Sequence, residues 1–164
     1  MKRTAVFILV AAVLFILAIS GCSRPSSPCL TSTLPPPTLT TSARPIEIFS
    51  ATGPWPSWYE DGKPVYNPGG PIVEITVKNA SSEPVIFLEV TLDAGSVSPE
   101  NPYVFDFDIC PAQPLAPGQS ISARRVLIGG GCGDLPLPVS ITGRLDGNVA
   151  FFYTRSIVIT PPPE

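Results

Sequence analysis

The sequence contains no histidine, and only 14% of its residues are charged. Histidine is the only side chain that titrates near neutral pH in an unperturbed environment. Its absence excludes Ser-His and Cys-His nucleophile pairs and removes the usual nitrogen ligand of zinc sites. We therefore expect a protein that is not an enzyme, with no catalytic residues, no bound metal and no cofactor.

Positive charge is also scarce. The chain has 10 lysines and arginines against 13 aspartates and glutamates, and setting aside Lys2 and Arg3 at the N-terminus leaves 8 basic residues and a net charge of -5. Nucleic acids are bound by basic side chains that neutralise phosphates and release counterions. No basic patch is visible in the sequence, so we expect no nucleic-acid partner.

The N-terminus has the pattern of a secretory signal peptide. Lys2 and Arg3 are followed by an uncharged, mostly apolar run over residues 4–19. As a helix this run would span about 24 Å, which is short of a bilayer core of about 30 Å. Residues 1–21 are therefore predicted to be a cleaved signal peptide rather than a transmembrane helix.

The run closes on Ile19-Ser20-Gly21-Cys22, which resembles the lipobox of bacterial lipoproteins. That motif has an aliphatic residue, a small residue, Gly or Ala, and then the cysteine that receives the lipid. The resemblance implies that Cys22 carries acyl chains such as palmitate and anchors the protein to membrane lipid, outside the cytoplasm on the cell surface or the periplasmic face. Each buried methylene contributes about 0.8 kcal/mol, so two or three chains hold far better than one. The residues also allow an uncleaved signal anchor, or an ordinary signal peptide with a chance cysteine.

Residues 22–45 are predicted to be a lipid-anchored linker. The segment is built mainly of Ser, Thr and Pro and has few apolar residues to bury, so we expect it to be disordered and partly polyproline-like. As a random coil it would span on the order of 25 Å, and fully extended on the order of 70 Å. Cys29 lies within it, and we interpret that cysteine as a spare thiol or, alternatively, as one half of an intermolecular disulfide.

From residue 46 to residue 160, apolar residues recur at every second position, which is typical of strands with one buried and one wet face. The chain's 22 prolines and 13 glycines break it into short segments and disfavour long helices. Asp146-Gly147 predicts a tight hairpin into a strand over residues 149–159. The clearest inward-facing sets are Val73, Ile75 and Val77; Ile86, Leu88, Val90 and Leu92; Tyr103, Phe105, Phe107 and Ile109; and Val139, Ile141, Gly143 and Leu145.

Two further strands are predicted at residues 46–51 and 120–128. In the second, the alternation slips around Arg124 and Arg125, which indicates a bulge or an exposed edge. The total is about seven strands in about 115 residues, which is the strand number and domain size typical of an immunoglobulin-like sandwich. Residues 161–164 form a proline-rich tail.

The turn segments of this domain are similar to those of bacterial immunoglobulin-like and fibronectin-type repeats. The similarity lies in Leu115-Ala116-Pro117-Gly118-Gln119-Ser120, in Val77-Lys78-Asn79 and in Pro84-Val85. It implies an all-β domain, a single immunoglobulin-like antiparallel β-sandwich, and it implies nothing about function. The buried tryptophan between paired cysteines of antibody domains is missing.

Cys110 and Cys132 are predicted to form a disulfide in an oxidising compartment. A small core provides only marginal stability. Closing the loop between the two cysteines would add about 3 kcal/mol to the stability of the fold in the chain-entropy model. A simple hairpin would separate the two cysteines unless residues 111–117 fold back.

Asp106 and Asp108 fall on one face of a predicted strand, near Glu100. Paired carboxylates can bind a hard cation or exchange protons with a substrate. More often they form the solvated face of a strand, and that is the interpretation we favour here.

An aromatic segment, Trp55-Pro56-Ser57-Trp58-Tyr59, lies between predicted strands. Aromatic faces on a loop can stack on sugars or form the centre of a protein interface. Trp55, Trp58 and Tyr59 are therefore candidate ligand-binding residues. In a domain of this size the simpler alternative is that the loop folds over one open end of the sandwich and plugs the core.

Together these features predict a membrane-anchored extracytoplasmic lipoprotein whose β-sandwich is a non-catalytic binding or structural module of the cell envelope. Apart from membrane lipid at Cys22, its expected partner is another envelope protein or a cell-wall glycan. The alternatives are a carbohydrate- or cell-wall-binding module that uses the aromatic loop, and an accessory subunit of an envelope complex.

Overall fold

The computed structural model describes Cys29 and residues 34–66, 68–95, 102–128 and 135–163. Within these ranges the chain forms strands and turns and no helix, so the all-β prediction is confirmed. Consequently, this part of the chain offers no helix that is long and apolar enough to cross a membrane. The predicted signal peptide and Cys22 lie outside the described residues.

The described ranges contain ten strands. In chain order the strands are β1 (Leu39–Thr41), β2 (Ile46–Trp55), β3 (Trp58–Glu60), β4 (Lys63–Val65), β5 (Ile72–Asn79), β6 (Val85–Leu92), β7 (Tyr103–Asp106), β8 (Ser120–Val126), β9 (Leu137–Leu145) and β10 (Val149–Ile157). The strands predicted from the sequence account for all of these except β1, β3 and β4.

The strands form two larger sheets and one separate hairpin. The five-stranded sheet has the order β1-β10-β9-β6-β7, the three-stranded sheet has the order β2-β5-β8, and β3 pairs only with β4. All neighbours are antiparallel except β1, which runs parallel to β10. The five-stranded sheet is therefore mixed, whereas the sequence predicted antiparallel pairing throughout.

The core lies between the two larger sheets, and alternation explains which side chains enter it. Along β5, Val73, Ile75 and Val77 are fully buried, while the residues between them are partly exposed. The inward set that begins at Tyr103 continues through Ile109 after β7 has ended, and all its members are buried. Burying each such side chain contributes roughly 1.5–3 kcal/mol, so the alternating positions provide most of the drive to fold.

The slip that the sequence shows near Arg124 corresponds to an exposed edge and not to a bulge. Strand β8 is the last strand of the three-stranded sheet, and its register with β5 is continuous. The irregularities lie in β2 instead, between Ile48 and Ser50 and between Thr52 and Trp55. Bulges bend a strand, and the second of these two precedes the point where the chain leaves the sheet.

Gly143 is required by packing. It lies on the inward face of β9, opposite Phe151 of β10. A Cβ atom at this position would overlap the Phe151 ring and lie 2.7 Å from the backbone oxygen of Phe87. The large ring of Phe151 is buried in the space that the glycine leaves.

The hairpin predicted at Asp146-Gly147 is confirmed between β9 and β10. Its loop holds a third residue, Asn148, whose φ of 57° is in the left-handed region. The Asn148 amide donates to the Leu145 carbonyl at 2.9 Å. Asparagine tolerates this conformation better than most residues, which suits the three-residue type of hairpin loop.

Residues 35–41, which the sequence assigned to a disordered linker, are docked on the domain. Strand β1 pairs with the first residues of β10. Just before it, the Asn148 side chain donates to the Pro36 carbonyl at 2.8 Å, and Arg144 donates to the Pro35 carbonyl. The ordered domain therefore begins well before residue 46.

The disulfide of the structure joins Cys110 to Cys29, which are 81 positions apart in sequence and have Cα atoms 5.3 Å apart. The predicted Cys110–Cys132 pairing is thereby corrected, and Cys132 itself lies outside the described residues. The interpretation of Cys29 as a spare or intermolecular thiol is corrected too. The reason is the docked N-terminal segment, which brings Cys29 to the end of the domain where Cys110 lies, a contact that no local pattern reveals.

Candidate functional site

The two ends of the domain are defined by the strand register. Ile46 opposes Asn79 at one end of the three-stranded sheet, and Trp55 opposes Ile72 at the other. We call the end that contains Asn79 the base and the end that contains Trp55 the far end. The candidate ligand-binding residues lie at the far end.

At the far end the chain leaves β2 and forms the β3–β4 hairpin. Trp58 pairs with Val65 and Tyr59 pairs with Pro64. Asp61 and Gly62 occupy the turn with φ angles of 49° and 74°. Positive φ at both central residues is the mark of the two-residue hairpin turn that Asp-Gly favours.

This hairpin was not predicted, although the Asp61-Gly62 pair was a signal for it. The flanking strands are only three residues long and contain Pro64, so no alternating pattern draws attention to them. We call residues 57–66 the aromatic arm. It is joined to the domain through Trp55 on one side and Ile72 on the other.

The aromatic rings of the arm remain in solvent. Trp58 is 51% exposed, Tyr59 is 68% exposed and Tyr66 is 50% exposed. The arm therefore does not plug the core, which was the simpler of the two predictions. Because successive side chains of a strand point to opposite faces, Trp58 and Tyr59 lie on opposite faces of the arm.

Trp55 has a different environment from the other two candidates. Its indole Nε1 donates to the Thr52 hydroxyl at 2.9 Å, and the Arg124 guanidinium lies 4.7 Å from the centre of its ring. Arg124 is in turn paired with Glu74 at 2.5 Å. These contacts are all with the domain, so Trp55 supports the root of the arm and one face of its ring is covered.

A shallow cleft of about 260 Å³ lies beside the root of the arm. Its cationic edge comes from Arg124 and Arg125, and the Arg125 guanidinium donates to the Val104 carbonyl at 3.1 Å. The residues that line the cleft are Pro56, Ser57, Ile72, Arg124, Arg125 and Val126. The cleft could hold a short side chain of a partner next to the aromatic arm.

Asp106 and Asp108 do not form a paired site. The Asp106 carboxylate accepts a hydrogen bond from the Asp108 backbone amide at 3.0 Å, and Asp108 has a φ of 52°. The first carboxylate is thus used to close a turn at the end of β7. In the part of the chain that the structure describes, no three residues of the metal-ligating types His, Cys, Asp and Glu cluster in a way that could hold a metal ion.

No protein-family model matches this sequence, and no match was found among curated proteins or among solved structures.

Proposed function

We propose that the protein is a lipid-anchored, non-catalytic binding module of a bacterial cell envelope that contacts another envelope protein through the aromatic arm. The observation that carries the proposal is the exposure of Trp58, Tyr59 and Tyr66 on one short hairpin. Exposed clusters of large apolar side chains on a small domain mark interaction sites. The signal peptide, the lipobox ending at Cys22 and the lack of histidine support the location and the non-catalytic role.

The proposed fold is an immunoglobulin-like sandwich. The order β2-β5-β8 matches strands A, B and E of such domains, and β10-β9-β6-β7 matches G, F, C and C′. The cysteine pairing is a departure from the antibody pattern. The strand order is what supports this fold over other two-sheet arrangements.

A protein partner is favoured over a glycan by the placement of the rings. Sugars stack on a platform whose aromatic rings share one face, whereas Trp58 and Tyr59 point to opposite faces of the arm. An arm with rings on both faces fits between two surfaces of a partner. Trp and Tyr bury large areas at low entropic cost, which is why they dominate the centres of protein interfaces.

One observation favours the second candidate, a cell-wall-binding module. Tyr59 pairs with Pro64, and Tyr66 follows two positions later, so alternation places these two tyrosines toward the same face. Two rings on one face can stack on a short length of glycan. In this case Trp58 would support the arm from its other side.

The experiment is in-cell crosslinking of the full-length protein with a variant that carries Trp58→Ser and Tyr59→Ser. We expect the yield of the crosslinked partner to fall at least about tenfold, because residues at the centre of an interface each contribute more than about 1 kcal/mol. The matched control is Phe152→Ser, since Phe152 is 62% exposed on β10 and distant from the arm.

Equal crosslinking by the arm variant and the wild type would contradict the proposal. Retention on purified peptidoglycan that depends on Tyr59 and Tyr66, without a protein crosslink, would favour the glycan candidate instead. Melting of each variant shows whether the domain stays folded, so a loss of binding is separated from a loss of structure.

A further inference from the structure

We infer that the Cys29–Cys110 disulfide holds the base of the domain close to the anchoring membrane and directs the aromatic arm toward a partner in the envelope layer beyond the domain. The inference rests on the proposed lipid anchor at Cys22 and deepens the proposed binding function, because it states where the partner lies.

Cys110 belongs to the base. Its amide donates to the Gln113 carbonyl at 3.3 Å, and two residues later the Leu115 amide donates to the Val85 carbonyl at 2.9 Å. The buried Asn79 side chain donates to the Leu115 carbonyl at 2.9 Å. Cys110 is thus on the short loop that packs against the first residue of β6, at the end of the domain opposite Trp55.

The disulfide shortens the chain between lipid and domain. From Cys22 to Cys29 the chain makes about seven Cα steps, which reach about 24 Å when fully extended. Without the disulfide the first contact with the domain would be at Pro35, which accepts a hydrogen bond from Arg144. The reach from Cys22 would then be about 45 Å. The disulfide therefore roughly halves the distance that the base can move from the membrane.

The aromatic arm lies at the opposite end from this attachment. Strand β5 runs from the far end at Ile72 to the base at Asn79, and eight residues of strand span about 25 Å. The turn of the arm carries Glu60 and Asp61 against a single lysine, Lys63. The two carboxylates at this turn disfavour entry of the arm into an anionic membrane surface. With the arm directed away from the membrane, as inferred here, the partner site lies roughly 25–50 Å from the lipid headgroups.

The chain offers an intrinsic reporter for this geometry. Its two tryptophans, Trp55 and Trp58, both lie at the far end, so tryptophan fluorescence reports the position of the arm alone. The experiment measures energy transfer from tryptophan to dansyl-labelled headgroups in vesicles of phosphatidylethanolamine and phosphatidylglycerol that carry the full-length lipidated protein. A base reporter is made by Ala112→Trp in a Trp55→Phe, Trp58→Phe background, because Ala112 is exposed next to Cys110.

The base reporter is expected to transfer at least about threefold more efficiently than the wild-type arm, since transfer falls steeply with distance. Equal or stronger transfer from the wild-type arm would overturn the inference, because the arm would then lie at the membrane. Gln113→Trp, also exposed at the base, replaces Ala112→Trp if that variant does not fold.

Adding Cys29→Ser and Cys110→Ser to the base reporter isolates the role of the disulfide. The longer tether should reduce transfer from the base at least about twofold, and unchanged transfer would overturn the inference. Cys22→Ala should abolish vesicle association, and a wild type that fails to associate would overturn the anchor together with the inference. An intact transfer pattern without a protein crosslink would remove the proposed partner and leave the orientation standing.

Discussion

At the scale of single residues, the fully buried side chain of Asn79 makes four hydrogen bonds. Its Nδ2 donates to the carbonyls of Glu83 and Leu115 at 2.8 and 2.9 Å, and its Oδ1 accepts from the Ser81 amide and hydroxyl at 2.9 and 2.7 Å. A fully buried amide is tolerated only when its donors and acceptors are satisfied. These hydrogen bonds, which we call the Asn79 latch, join the turn after β5 to the loop before β8.

Asn79→Ala is expected to lower the free energy of unfolding by about 2–4 kcal/mol, because it removes four hydrogen bonds made by a fully buried side chain. Urea denaturation followed by circular dichroism measures the loss. Ser81→Ala is the graded control, since it removes one hydroxyl from the same latch and should cost about 1 kcal/mol. Equal losses in the two variants would show that the amide is not the centre of the latch.

Tyr153 is a titratable side chain whose hydroxyl is also satisfied by hydrogen bonds to the backbone. Its hydroxyl accepts a hydrogen bond from the Ile46 amide at 3.0 Å and donates to the Ile46 carbonyl. Burial raises the pKa of the Tyr153 phenol, and the backbone hydrogen bond and the nearby Arg155 and Arg44 oppose that rise. The phenol therefore remains protonated and able to donate, which keeps β2 tied to β10.

At the scale of elements, the aromatic arm depends on the stacking at its root. Arg124 covers one face of Trp55 and is held there by Glu74. The ion pair is partly exposed, so its own contribution to stability is small. Its main effect is to orient Trp55 at the point where the arm leaves the sheet.

Arg124→Ala is expected to shift the emission of Trp55 to longer wavelength, because the ring gains contact with water. Stability should fall by about 1 kcal/mol or less. The measurement uses a Trp58→Phe background, in which Trp55 is the only tryptophan. Arg155→Ala, which removes an exposed arginine elsewhere, serves as the control. An emission spectrum identical to that of the control would contradict the proposed role of the stack.

At the scale of the whole molecule, the Cys29–Cys110 disulfide closes most of the described domain into one loop. In the chain-entropy model, a loop of 81 residues contributes about 4.5 kcal/mol, more than the shorter loop predicted from the sequence. A domain of this size has a small margin of stability, so this contribution is a large part of it.

Cys29→Ser with Cys110→Ser is therefore expected to lower the free energy of unfolding by about 4 kcal/mol, measured by urea denaturation under non-reducing conditions. Cys132→Ser should change stability by less than about 0.5 kcal/mol, since Cys132 is not the partner of Cys110. A Cys132 variant as unstable as the double variant would restore the pairing predicted from the sequence.

The strand pattern was predictable because it is local. Side chains of a strand alternate between two faces, so the positions of Val73 and Val77 in β5 and of Phe105 in β7 follow from spacing alone. The aromatic segment was also recognisable by its composition. Whether its rings were buried or exposed was not, because that depends on how the short hairpin at Asp61-Gly62 leaves the sheet.

By itself, the sequence determined the all-β class and the inward sets of β5, β6, β7 and β9, since both follow from a two-residue period. Only the tertiary structure decided that Leu39 pairs with Val149 and that Cys29 bonds to Cys110. The disulfide joins residues 81 positions apart, and the pairing of β1 with β10 joins residues even more distant in sequence. Contacts this distant leave no pattern in a short window of sequence. Their physical cause is the docking of the N-terminal segment along β10, which satisfies backbone groups that an exposed sheet edge would leave open.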